Sequence, residues 1–223
     1  MQVIILCAGE GKRLGMCLPK CMVEVNGEPI LGSQLRAISD LDNVTHIIIV
    51  TGYKSELIKK YVTSLNDSRV HLINNPHAQE AGIVLSMEYA MDLTTEPDVL
   101  RISGDIYLPD SSSLKKLVDC SETTFAVQEM PEHRDDCAII RTNGIGPAYV
   151  RSIEVITGSD NQGYLEWSDM EIYRHDDLKY IMKHSHRYCG LQSHYCDLIN
   201  FYINKCGRPI YTVKINGALE IDT

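Results

Sequence analysis

A strand-like apolar run, Gln2 to Cys7, breaks into Ala8-Gly9-Glu10-Gly11-Lys12-Arg13-Leu14-Gly15. Glycines at the end of a strand let backbone N–H groups approach phosphate oxygens with no Cβ in the way. Lys12, Arg13 and, behind a proline, Lys20 place three cations at that turn in a chain of formal net charge −9. Packing explains such a concentration poorly, whereas a bound triphosphate explains it directly. Farther along, Ser103-Gly104-Asp105 closes another apolar run, and Glu220-Ile221-Asp222 stands at the other end of the chain. On a strand Glu220 and Asp222 point to the same side. Carboxylates so placed suit Mg²⁺, which binds through one or two of them together with phosphate oxygens. These groups fit an in-line displacement at phosphorus, where metal and basic side chains neutralise two anionic reactants.

Two familiar phosphate loops do not fit. A Walker loop requires Gly-x4-Gly-Lys-Ser/Thr, which is absent. A dinucleotide fingerprint requires Gly-x-Gly-x-x-Gly, but here the third glycine, Gly15, stands one residue late. The ribose-binding acid expected after the second strand is also missing, since that run ends Val50-Thr51-Gly52.

The elements that must position these groups follow from periodicity. Short apolar runs at 2–7, 46–51, 70–74 and 99–103 read as buried strands, with a weaker alternating segment at 21–26. Between them, 29–41 has Ile30, Leu31, Leu35 and Ile38 on one face, and 82–93 is helical. The 55–65 segment reads as a helix with Ser55 as N-cap and Leu57, Ile58, Tyr61 and Val62 inward. Such alternation implies right-handed crossovers and a mostly parallel sheet covered on both faces. Strands are also expected at 125–128, 138–142, 150–156 and 210–215, a turn at 143–147, and a helix at 190–205. The expected fold class is α/β, Rossmann-like and three-layered (α/β/α), with a small acceptor-binding lobe or lid. One domain, 1–223, would hold a nucleotide half (1–107) and an acceptor half (108–223).

The pattern Leu6, Ala8, Gly9, Gly11, Arg13, Leu14, Pro19 and Lys20 resembles the signature of the sugar-phosphate nucleotidyltransferase superfamily. The short gap between Arg13 and Pro19-Lys20, with the Glu-Ile-Asp segment, is most similar to its phosphocholine and phosphonate cytidylyltransferase branch. That resemblance implies nucleotide binding by Leu6, Ala8, Gly9, Glu10, Gly11, Lys20, Gly82, Ser86 and Gly104. It implies metal binding by Asp105 and Asp222, with Mg²⁺ as cofactor, and charge stabilisation by Arg13 and Lys20. The expected activity is transfer from a nucleoside triphosphate, CTP favoured, to a small phosphorylated or phosphonate acceptor, with release of pyrophosphate. Phosphocholine and aminoethylphosphonate are the acceptors it suggests. A sugar-1-phosphate uridylyl-, thymidylyl- or guanylyltransferase is the alternative within the fold. A non-catalytic nucleotide-sensing module is the alternative of a different class.

On the acceptor side, Glu166, Trp167 and Asp169, with Glu220, form an expected aromatic-plus-acid cage for an alkylammonium group. The acidic charge argues against nucleic acid and anionic lipid as partners. The apolar runs are too short to span a bilayer. The N-terminus shows no basic region or cleavage site, and eight cysteines are scattered without a zinc-like pattern. The expectation is therefore a cytoplasmic protein with free thiols, either a homodimer or part of a longer multidomain chain.

Overall fold

Continuous apolar strands need burial on both faces, and helices on each side of a sheet supply it. A computed structural model describes residues 1–10, 17–78, 80, 82–129, 136–143, 149–157, 165–188, 194–206 and 208–221. The N-terminal half runs β1 (Gln2–Cys7), a 3-10 turn (Lys20–Met22), β2 (Glu24–Val25), β3 (Glu28–Pro29), α1 (Ile30–Ser39), β4 (His46–Thr51), α2 (Ser55–Leu65), β5 (Val70–Asn74), α3 (Gly82–Met91) and β6 (Val99–Ser103). The chain continues through β7 (Ile106–Tyr107), α4 (Ser112–Val118), β8 (Thr124–Glu129), β9 (Asp136–Asn143), β10 (Tyr149–Thr157), β11 (Leu165–Tyr173), α5 (Asp177–Met182), α6 (Tyr195–Cys206), β12 (Tyr211–Lys214) and β13 (Leu219–Glu220).

The main sheet has the order β5-β4-β1-β6-β11-β8-β12-β10-β9. The period of two along β1 divides the core. Val3 and Ile5 pack with Leu31 and Leu35 of α1 and Ile58 of α2. Ile4 packs on the opposite face with Val84 and Met87 of α3 and Ile199 of α6. This is the expected three-layer α/β arrangement. No helix among the described residues is long and apolar enough to cross a membrane.

Three expectations need correction. The sheet is mixed rather than mostly parallel. β5, β4, β1 and β6 run parallel, but β11 is antiparallel to both β6 and β8, and β10 to both β9 and β12. β11 itself reads poorly as a strand in the sequence, because the acids Glu166, Asp169 and Glu171 interrupt its apolar pattern. At α2, Ser55 lies inside the helix, and Lys54, with φ 46°, occupies the cap position. Ile58 and Val62 carry that helix's buried stripe while Leu57 is exposed. The expected turn at 143–147 falls largely on residues outside those described.

Candidate active site

Parallel strands β1 and β6 end side by side, with Leu6 paired to Ser103. Ligand clefts of open α/β sheets form at such carboxyl ends. Here a cavity of about 230 Å³ is lined by Ala8, Gly9, Lys20, Gly82, Ser86, Gly104 and Asp105, among others. Leu6 lines it too, so seven positions expected from the sequence to bind nucleotide, with Asp105, the expected metal carboxylate, share one cleft. Glu10 is half-buried beside it in sequence. Gly11, Arg13 and Asp222 lie outside the described residues.

Lys20 is carried in by the 3-10 turn that follows Pro19. Its Nζ donates to Asp105 Oδ2 at 2.9 Å. The other oxygen of Asp105, Oδ1, is buried and has no hydrogen-bond partner among the described residues. Asp105 is held through its own backbone. Gly104 N donates to Leu6 O at 3.0 Å, and Ile221 N donates to Asp105 O at 3.0 Å. β13 pairs with β7, placing Glu220 opposite Ile106, so the segment bearing Glu220 reaches the Asp105 turn.

Two residues that sequence reasoning passed over hold this architecture. Gln34 of α1 is fully buried, and its amide donates to Ser103 O at 2.7 Å and Ile106 O at 2.8 Å, bracketing the Gly104-Asp105 turn. Asn75 is equally buried and donates to Ser86 Oγ at 3.0 Å. Gly82 opens α3 with φ 67°, the left-handed region where a side chain is disfavoured. Gly9 differs: a Cβ there would meet no atom of the described residues within 4 Å. Cys7 and Cys21 are both buried, and their mutual hydrogen bond, helped by burial, pushes the Cys7 thiol well up.

Residues 3–166 match the MobA-like NTP transferase domain. The chain belongs to that family of nucleotidyltransferases. This NTP transferase domain is 30% identical over 135 residues to the bifunctional protein GlmU of Legionella pneumophila strain Philadelphia 1, covering 60% of the chain and 27% of that protein. It is 32% identical over 120 residues to GlmU of Nitrosomonas europaea, covering 53% of the chain and 25% of that protein. The matched region thus spans about a quarter of the length of these relatives. Its fold is similar to that of CTP:phosphocholine cytidylyltransferase from Streptococcus pneumoniae, with a TM-score of 0.78 at 19% identity, covering 100% and 93% of the two chains. UDP-glucose pyrophosphorylase bound to UDP-glucose gives 0.77 at 13% identity, covering 98% and 92%. At such identities the likeness is one of fold.

NTP transferases of this family generally use a divalent metal ion. The transferase domain has a fitting donor in Asp105, which lines the cleft and whose Oδ1 has no hydrogen-bond partner among the described residues. Among the described residues no cluster of three or more ligand-type side chains surrounds it, so a metal there would take its remaining ligands from elsewhere.

The acceptor side differs from the expected cage. Trp167 is 4% exposed and stacks on Phe125 (5.4 Å between ring centroids) and Tyr195 (6.1 Å). The cation over those rings is the domain's own Arg101, 5.9 Å from the Trp167 ring and 4.9 Å from that of Tyr195. Glu166 is buried and accepts from Gln128 Nε2 at 3.0 Å. Asp169 alone of the three remains partly exposed. Arg101, fully buried, pairs through Nη1 with Glu171 at 2.8 Å and Asp169 at 3.1 Å. Two carboxyls sharing one guanidinium retain a proton readily. Burial pushes Glu171 up to about 8 while Arg101 pulls it back, and burial likewise raises Asp169.

Proposed function

We propose that the chain transfers a cytidylyl group from CTP to a small phosphorylated or phosphonate acceptor, with Mg²⁺ as cofactor and release of pyrophosphate. The observation that carries this reading is the Lys20–Asp105 pair at the joined ends of β1 and β6. It puts a cation and a carboxylate with a free, buried oxygen beside Gly9. No atom of the described residues demands a glycine at position 9, so the space its missing side chain leaves suits the approach of a phosphate chain.

An acceptor oxygen attacks the α-phosphorus in line. A new P–O bond forms, the bond to the β-phosphate oxygen breaks, and pyrophosphate leaves with the electron pair. The acceptor's own phosphate or phosphonate oxygen is already ionised, so the protein need supply neither base nor nucleophile. A divalent ion on Asp105, when bound, supplies neutralisation of phosphate charge. Lys20 stabilises charge on the α-phosphate and leaving group. Arg13 and Gly11 complete the set through their places in the sequence signature, and Asp222 through the Glu-Ile-Asp segment. Gly82 and Ser86, at the start of α3, face base and ribose. CTP is preferred because the gap from Arg13 to Lys20 is short, as in the cytidylyltransferase branch.

The test is pyrophosphate release with Mg²⁺, each of the four triphosphates, and phosphocholine, aminoethylphosphonate and sugar 1-phosphates. Turnover with CTP and one of the first two acceptors is expected. Asp105→Asn should lower kcat at least about a hundredfold without altering the circular dichroism spectrum or melting temperature. No turnover with any pair, together with no triphosphate binding by calorimetry, would sink the reading.

A further inference from the structure

Cys7 ends β1, and Cys21 sits in the 3-10 turn beside Lys20. Both are free thiols, 3% and 2% exposed, and both belong to one core cluster. A hydrogen bond joins them and keeps the proton on Cys7. Both also line the cleft that holds Lys20 and Asp105. Thiols buried in apolar surroundings are ordinarily inert. This pair differs in two respects. The cleft gives a small solute a route to it, and each sulfur has a second sulfur in contact. The proposed transfer uses neither thiol.

The two partners are not held equally. β1 pairs with β4 on one side, Cys7 opposite Thr51, and with β6 on the other. The Cys7 sulfur rests against the Gly104 turn, where an added Cβ would come within 3.0 Å of it. Cys21 stands in a turn of only three residues. That turn is closed by Met22 N donating to Pro19 O at 2.9 Å and Val23 N to Lys20 O at 3.1 Å. A disulfide sets its sulfurs about 2.05 Å apart, closer than a hydrogen-bonded pair of thiols. Closing that gap draws the turn toward β1 rather than β1 toward the turn. Lys20 is the adjoining residue, so its 2.9 Å contact with Asp105 moves with it.

We infer that Cys7 and Cys21 are a site of reversible modification, at which a hydroperoxide joins the two sulfurs and the resulting disulfide displaces Lys20 within the cleft. The effect on triphosphate binding rests on the function proposed above, whereas the joining of the sulfurs does not. Cys21 Sγ attacks one peroxide oxygen. An S–O bond forms, the O–O bond breaks, and water leaves with the thiol proton. Cys7 Sγ then attacks the sulfur of that sulfenic acid. The S–S bond forms, the S–O bond breaks, and a second water carries off the Cys7 proton. The two sulfurs together lose two electrons, and hydrogen peroxide gains them. A small dithiol reverses the step by thiol–disulfide exchange.

The test treats the reduced full chain with hydrogen peroxide, alkylates the remaining thiols, and maps the peptides by mass spectrometry. A linked pair of peptides carrying Cys7 and Cys21 is expected, and dithiothreitol should abolish it. Calorimetry with CTP and Mg²⁺ reads the consequence. The Kd should rise about tenfold or more on oxidation, the size of one lost hydrogen bond to a charged group, and return on reduction. Cys7→Ala cannot form the link and should hold its own Kd through the same treatment. Cys21→Ala repeats that control should the first variant fold poorly. Three results would overturn the inference. One is no Cys7–Cys21 link at peroxide concentrations that oxidise the exposed Cys17. The others are an unchanged Kd in protein that carries the link, and an equal rise in Cys7→Ala. A reduced wild-type protein that binds no triphosphate overturns the proposed function instead. The linked peptide and its reversal by dithiothreitol then still decide the modification site.

Discussion

Gln34 shows how much one uncharged side chain can organise. Its two amide hydrogens go to the carbonyls on either side of the Gly104-Asp105 turn. Gln34→Leu fills a similar volume but leaves both carbonyls without their donor. The expected cost is roughly 2–4 kcal/mol, seen as a lower urea midpoint, with a disproportionate fall in kcat because Asp105 loses its support. Retained activity in a destabilised variant would show that the turn holds its shape unaided. That Gly9, Lys20 and Asp105 share one cleft was legible in the sequence, because glycine and charged residues at strand ends follow a fixed spacing. Gln34 was not singled out, although it lies on the same α1 stripe as Ile30 and Ile38, four residues from each. A polar residue on an apolar stripe was the available signal. Arg101 offered another, as the only charge within Val99–Ser103.

Among the elements, the junction of β1 with β6 is a tight constraint. A Cβ at Gly104 would press on Leu6 O and come within 3.0 Å of Cys7 Sγ. Gly104→Ala must therefore pry apart the two strand ends that form the cleft. A loss of about 2–4 kcal/mol is expected, measured by thermal or urea unfolding, with weakened triphosphate binding by calorimetry. A fully stable variant would mean that the strands have slack. The parallel strands of the first half were readable because burial on both faces leaves unbroken apolar runs. β11 was not, for a physical reason. It is the strand that joins the parallel strands of the first half to the mixed second half of the sheet, and its acids Asp169 and Glu171 pair with Arg101, a residue of another strand. Long-range pairing of this kind leaves no local pattern. It also explains why the cage expected around Trp167 is filled from within.

For the molecule as a whole, Glu171 ties stability to pH. Its carboxyl is pushed up to about 8 in the fold, chiefly by burial, from an ordinary value of 4.5. Between these limits the folded chain keeps a proton that the unfolded chain has released. Stability should therefore fall as pH rises from about 4.5 to about 8 and level off above. Urea midpoints measured across this range should decline in the wild type and flatten in Glu171→Gln. An equal slope in both would place the buried proton elsewhere. The same ion network constrains how this lineage can change. Removing Arg101 alone strands two carboxyls in the sheet, and Arg101→Met is expected to cost about 3–5 kcal/mol. Replacing the set together, as in R101M/D169G/E171M, should recover most of that loss, because a buried ion cluster is often no more stable than apolar residues of similar volume. Stability curves of the single and triple variants measure the difference. Each single step out of the arrangement leads downhill, although the far side is as high as the start. Descendants of this chain are then expected to keep Arg101, Asp169 and Glu171 as a unit or to lose them as a unit, a valley in sequence space that would preserve β11 in its place beside β6.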